Sequence, residues 1–131
     1  MIDGVSQVSM QVSVSDPDRA KAFWTETIGF ELLGDSDMGG ERWIRVTPPD
    51  HGVVLVLGGP NPFLADFLSR LPAQLPHSPV FFSCVDIQRT YDELTAKGVQ
   101  FVQPPVQMFF GWWALFCDPD GNRYALNQSA A

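Results

Sequence analysis

Val8, Met10, Val12 and Val14 alternate with Gln7, Ser9, Gln11, Ser13 and Ser15. A period of two predicts a strand with one apolar face and one small, polar face. At Asp16-Pro17-Asp18 the period changes. Asp16 can cap a helix, Pro17 suits a first helical position, where an amide hydrogen would have no partner, and Asp18 complements the helix dipole. Ala20, Phe23, Trp24 and Ile28 then fall on one face, and Gly29 supplies the stop. Three strand-like runs follow: Phe30 to Leu33, Glu41 to Thr47 and Gly52 to Leu57. Pro48-Pro49-Asp50-His51 joins the last two as a tight connection.

Gly58 to Ser78 interrupts this order with Gly58-Gly59-Pro60, Pro72 and Pro76, and reads as a linker holding a short helix around Phe63 to Leu71. Afterwards the order returns. Val80 to Val85 is a strand, Asp86 caps a helix whose Ile87, Tyr91 and Leu94 share a face, and Gly98 ends it. Val99 to Val102 and Trp112 to Cys117 are strands. Asp118-Pro119-Asp120-Gly121-Asn122 is a strong turn, and Arg123 to Asn127 closes the set. Thirteen positions separate Asp16 from Gly29, and twelve separate Asp86 from Gly98. This is an internal repeat of one supersecondary unit.

A single βαβββ unit covers one face of its sheet with its helix. The other face needs a cover, which a second copy can supply, and the concave space becomes a pocket. The expected fold is α+β: two βαβββ modules about a pseudo-twofold axis, in one domain spanning 1–131. Module one covers 5–58, the linker 59–79 and module two 80–128.

Composition narrows the function. The chain has 131 residues, 45% of them apolar, which suits one domain with a sizeable core. Its net charge is −7, and its 8 Lys and Arg residues are scattered. Nucleic acids and anionic membranes need clustered cations, so neither is an expected partner. No apolar run approaches the ~20 residues of a membrane span. Met1 to Gln7 has neither the basic nor the apolar region of a secretory signal. Cys84 and Cys117, the two cysteines, sit in apolar strand patterns, the usage of reduced, buried thiols. The expected compartment is the cytoplasm.

Two stretches carry a family resemblance. The first runs from Val14-Ser15-Asp16-Pro17-Asp18-Arg19 through Phe23-Trp24 to Ile28-Gly29-Phe30-Glu31. The second joins Val85-Asp86-Ile87, Leu94 and Lys97-Gly98-Val99 to Phe116-Cys117-Asp118-Pro119-Asp120-Gly121-Asn122. Together they resemble the vicinal oxygen chelate superfamily of glyoxalase I, extradiol dioxygenases, fosfomycin-modifying transferases and bleomycin-type resistance proteins. Phe23-Trp24 replaces the commoner Phe-Tyr. The resemblance implies a cavity in which enzymes of the family hold a divalent metal with His, Glu or Gln on the first and last strands of each module. Counting from the matched motifs puts those positions at Ser9, Leu55, Pro79 (with Val80 beside it) and Ala125. Leu, Pro, Val and Ala cannot ligate, and a lone Ser is a poor ligand, so no metal and no cofactor are expected. A shift of two residues would bring in Gln7 or Gln11, His77 and Asn127, one His with amides.

Little other chemistry stands out. His51 and His77 fall in Pro-rich connections and read as loop histidines. Asp35, Asp37 and Glu41 read as a solvated acidic loop before the third strand. Neither cysteine has an adjacent cation to activate it. The aromatics say more. Met108, Phe109, Phe110, Trp112 and Trp113 sit together, Trp43 and Arg45 share one strand face with Arg42 on the other, and Pro79, Phe81 and Ser83 share another. The expected ligand-binding set is therefore Ser9 and Gln11 as a polar edge, Leu55, Pro79 and Ala125 as an apolar floor, and Trp43, Arg45, Phe81, Met108, Phe110 and Trp113 as walls. Such walls suit a flat aromatic molecule, with Arg45 holding its polar end. The expected function is a metal-free binding protein that sequesters an aromatic compound or antibiotic. The alternative is a lyase, isomerase or dioxygenase of the superfamily with an atypical or absent metal site. Since relatives pair modules across a second chain, the expected assembly is an isologous homodimer.

Overall fold

Both expected helices start on an aspartate whose backbone is extended, and in each the carboxylate accepts from the amide three residues on. In the computed structural model, which describes residues 2–4, 8–38, 41–58 and 81–129, Arg19 N donates to Asp16 Oδ1 at 3.2 Å and Arg89 N to Asp86 Oδ1 at 3.1 Å. Gly29 and Gly98 follow the helices at φ of 90° and 91°. That left-handed conformation is one a residue with Cβ rarely adopts.

The chain divides into two compact units, Met1–Leu71 and Pro72–Ala131. In the first, β1 (Ser9–Ser13) leads to α1 (Pro17–Ala22), which continues as a wider π-type segment, Phe23–Thr27. Then come β2 (Glu31–Met38), β3 (Glu41–Thr47) and β4 (Val54–Gly58). The sheet order is β1-β4-β3-β2, with β1 and β4 parallel and the other pairs antiparallel. The second unit repeats the plan with β5 (Phe81–Ser83), α2 (Ile87–Ala96), β6 (Gln100–Met108), β7 (Gly111–Cys117) and β8 (Arg123–Ser129). Its order is β5-β8-β7-β6, and β5 pairs parallel with β8. Each unit is thus a βαβββ module, as the repeat predicts. No helix among the described residues is long and apolar enough to cross a membrane.

Burial explains why one sheet face is apolar in each unit. Val12, Val14, Ala20, Phe23, Trp24, Ile44, Val46, Leu55 and Leu57 are buried in the first. Trp24 has no exposed surface, and its ring lies 5.2 Å from those of Phe23 and Phe30. In the second, Phe116 and Tyr124 stack at 5.5 Å, Phe82 stacks on both, and Tyr91 of α2 meets Phe101 edge-on at 4.7 Å.

Two strands run further than the sequence suggests. β2 does not stop at Leu33 but carries through Asp35 and Asp37, so these are strand residues and not a solvated loop. Cations explain how an acidic stretch stays in the sheet. Lys21 Nζ donates to Asp35 at 2.8 Å, Arg42 grips the same carboxylate through Nε and Nη2, and Arg42 Nη1 also donates to Asp18. β6 likewise passes through Pro104 and Pro105. It is an edge strand with register shifts between Phe101 and Val106, so the missing proline amides leave the ladder to β7 usable. The expected helix near Phe63 to Leu71, the linker from residue 59 on, His77, Pro79 and Val80 lie outside the described residues.

The Arg42 and Lys21 hydrogen bonds hold the Asp35 carboxyl well below the usual carboxylate range. A lowered folded-state pKa stabilises above the unfolded value and is lost as pH falls through the folded one. The stability gap between the wild type and Asp35→Asn should therefore be widest near neutrality and shrink once pH drops below about 4. Urea denaturation of both proteins at neutral and acid pH checks this. A gap independent of pH would mean that the ion pairs contribute nothing.

Candidate functional site

Strand alternation assigns each side chain to the helix face or the open face of its sheet, and the register links the strands into rows. In the first unit the helix-side rows are Met10, Leu55, Val46 and Leu32, then Val12, Leu57, Ile44 and Asp35. The open-face rows are Gln11, Val56, Arg45 and Gly34, then Gly58, Trp43 and Ser36. Ser9, paired with Val54, shares the face of Gln11.

Two glycines leave room on this face. A Cβ at Gly58 would stand 2.5 Å from Gln11 Nε2, so the Gln11 amide lies over the glycine backbone. A Cβ at Gly34 would stand 3.2 Å from Arg45 Nη2, so the guanidinium lies over Gly34 of β2. Trp43 and Arg45 therefore share an open face with Gln11, and Arg42 belongs to the other side.

Leu55 does not belong there. It is fully buried on the helix side, and Val56 stands on the open face in its stead. The sequence count was off by one residue, and in a strand one residue is the opposite face.

In the second unit the open-face rows are Phe81, Ala125, Leu115 and Gln103, then Ser83, Asn127, Trp113 and Val106. Gln128 marks the helix side, since its Oε1 accepts from Ile87 N of α2 at 2.7 Å. Ala125 and Leu115 are buried, while Phe81 is half exposed. Met108 pairs with Gly111 at the far end of the β6–β7 hairpin. Phe110 lies in the hairpin turn with Phe109, their rings edge-on at 5.2 Å, so it stands beyond the rows. Pro79 is outside the described residues. Val56 and Val106 are open-face residues that the motif count missed. Asn127 was within reach, two positions beyond Ala125 and hence on its face.

The chemistry of these positions is poor for a metal. Valine 56 and alanine 125 have no lone pair to donate, and Ser9 alone is a weak ligand. Among the described residues no three His, Cys, Asp or Glu side chains come together as a candidate ion site. The donor set does not fit the divalent ion of the family's enzymes. Elsewhere His51 occupies an exposed turn at φ 58°, with Nε2 2.8 Å from Glu31 Oε2. Both cysteines are free and half-buried, and burial pushes their thiols up, away from the nucleophilic thiolate.

With that geometry established, three kinds of comparison bear on it. The family model for the Glyoxalase/Bleomycin resistance protein/Dioxygenase superfamily matches residues 6–126. YetH of Bacillus subtilis (strain 168) is 34% identical over 92% of this chain and 95% of its own. Among solved structures, TnmS3, an antibiotic binding protein from Streptomyces sp. CB03234, is similar with a TM-score of 0.77 and 30% identity, covering 99% of this chain and 100% of its own. A superfamily member from Sphaerobacter thermophilus reaches a TM-score of 0.78 at 30% identity, covering 98% and 100%.

Proposed function

Because the chain belongs to the Glyoxalase/Bleomycin resistance protein/Dioxygenase superfamily, we propose that it uses the fold to bind and sequester a flat aromatic small molecule, without a metal and without turnover. The observation that carries this reading is the chemistry of the open faces. Val56 and Ala125, whose side chains have no atom to donate to a metal, stand on these faces. On the same face as Val56 stand Trp43 and Arg45 in the first unit, and on the same face as Ala125 stand Phe81 and Trp113 in the second. Indole and phenyl faces bind flat ligands through apolar area and stacking, and a guanidinium pairs with a carbonyl or an anionic edge. TnmS3, similar along its whole length, is an antibiotic binding protein, which supports the same use here. The proposed form is a cytoplasmic homodimer, and light scattering that reports a single-chain mass across a dilution series would count against it.

The test joins binding to composition. Tryptophan emission is followed while a panel of polycyclic aromatic antibiotics is titrated in, and the protein is assayed for Zn, Mn, Fe and Ni after chelator dialysis. The expected result is saturable quenching by at least one compound, recovered chemically unchanged, from protein without stoichiometric metal. About one retained ion per chain, or a converted ligand, would favour the lyase, isomerase or dioxygenase alternative instead.

A further inference from the structure

Asn127 stands mid-strand in β8 and turns away from α2. Its neighbour Gln128 faces α2, where it accepts from Ile87 N, and alternation puts Asn127 on the opposite, open face. Ser83 of β5 flanks it on one side and Trp113 of β7 on the other. The ladder fixes the backbone on both sides, and the Asn127 carbonyl oxygen accepts from Cys84 N at 2.9 Å. The side chain differs. Asn127 Oδ1 is shielded from solvent and meets no hydrogen-bond donor among the described residues, although the residue as a whole keeps some exposure.

Buried amide oxygens nearly always have a partner, because one left without costs free energy in the folded state. Asn127 is held in place by the sheet and not by its own side-chain bonds. Its backbone is therefore fixed beside Trp113 in the register, and its side-chain acceptor has nothing of the described chain to satisfy it. A leucine of similar volume would avoid the cost, so an amide here suits a site whose donor arrives from outside.

We infer that Asn127 is a specificity-determining acceptor for a hydroxylated aromatic ligand. The ring lies against Trp113, and the ring hydroxyl donates to Asn127 Oδ1. This rests on the aromatic-ligand reading above and narrows it to compounds with an O–H at the ring edge. Discrimination of this kind is sharp in one direction. A ligand without the proton leaves the already shielded oxygen unpaired and forgoes the bond.

The experiment uses β-naphthol and its methyl ether, which share the ring and differ in the donor. Both are titrated by calorimetry into the wild type, Asn127→Leu and Asn127→Asp. The wild type should prefer the naphthol by about tenfold. Asn127→Leu should bring that ratio near one, chiefly by losing the naphthol, and should melt no lower than the wild type, since an unpaired acceptor has gone. Asn127→Asp keeps an acceptor and should keep the preference. A preference that survives in a folded Asn127→Leu overturns the role of Asn127 and leaves the sequestering reading intact. Equal binding of the two probes by the wild type does the same. Binding of neither probe by the wild type overturns the inference, and failure of the wider aromatic panel as well overturns the reading beneath it.

Discussion

Asp118→Ala should lower the free energy of unfolding by about 3 kcal/mol or more, because it removes a buried carboxylate and leaves four donors without their acceptor. The amides of Asp120 and Asn122 donate to Asp118 Oδ1 at 3.0 and 2.9 Å. Asn122 Nδ2 and the Tyr124 hydroxyl donate to Oδ2 at 2.9 and 3.0 Å. Asp118 and Tyr124 are both nearly inaccessible, so water cannot replace the lost acceptor without the turn opening. Burial, with Asp118 beside it, pushes the Tyr124 phenol up from its usual range, so the hydroxyl stays protonated and remains a donor throughout neutral pH. Tyr124→Phe removes one of the four bonds and leaves the others, and should cost only about 1 kcal/mol. Urea denaturation of the two variants decides the matter. Equal losses would mean that the three bonds from Asp120 and Asn122 add nothing to the one from Tyr124. The consequence also reaches function, since this turn sets the register between β7 and β8, and that register places Trp113 beside Asn127.

The same Asp118-Pro119-Asp120-Gly121-Asn122 turn shows why so much of the fold was legible. Capping aspartates, stop glycines and turn residues act locally, so Asp16, Asp86, Gly29 and Gly98 announce their elements without knowledge of the rest. Asp35 shows the opposite case. Three acidic or small residues in a row read as a loop, and only Lys21 and Arg42, fourteen and seven positions away in the chain, make them a strand. Site residues depend on register, which is the least local property of all. Trp43 and Arg45 are two apart on one strand, so alternation alone relates them. Leu55 had to be located by counting across a loop, and a count wrong by one exchanged a core leucine for Val56. The unpaired oxygen of Asn127 is a statement about what surrounds it, and no pattern in the chain encodes that.

Face assignment also separates two tryptophans that are neighbours in sequence. Trp113→Ala should weaken a bound aromatic ligand by about 1–3 kcal/mol, roughly five- to 150-fold in Kd, as a large apolar contact is withdrawn. Trp112 falls in the row of Gln107 and Gln128, on the helix side of the same sheet. It is over a third exposed, so Trp112→Ala should fold, remove as much indole and leave affinity unchanged. Arg45→Met keeps an unbranched apolar stem and removes the guanidinium that lies over Gly34. It should reduce discrimination between ligands with and without an anionic or carbonyl edge more than it reduces stability. Titrations of the three variants with one quenching compound, alongside their melting curves, test the assignment as a set. Equal losses in Trp112→Ala and Trp113→Ala would put the ligand at the hairpin end and not on the open face. Unchanged binding in Trp113→Ala would rule out a ligand contact at Trp113, and unchanged discrimination in Arg45→Met would rule one out at Arg45. Composition and aromatic content change alike in the two tryptophan variants while the face differs, and the melting curves separate a loss of affinity from a loss of stability.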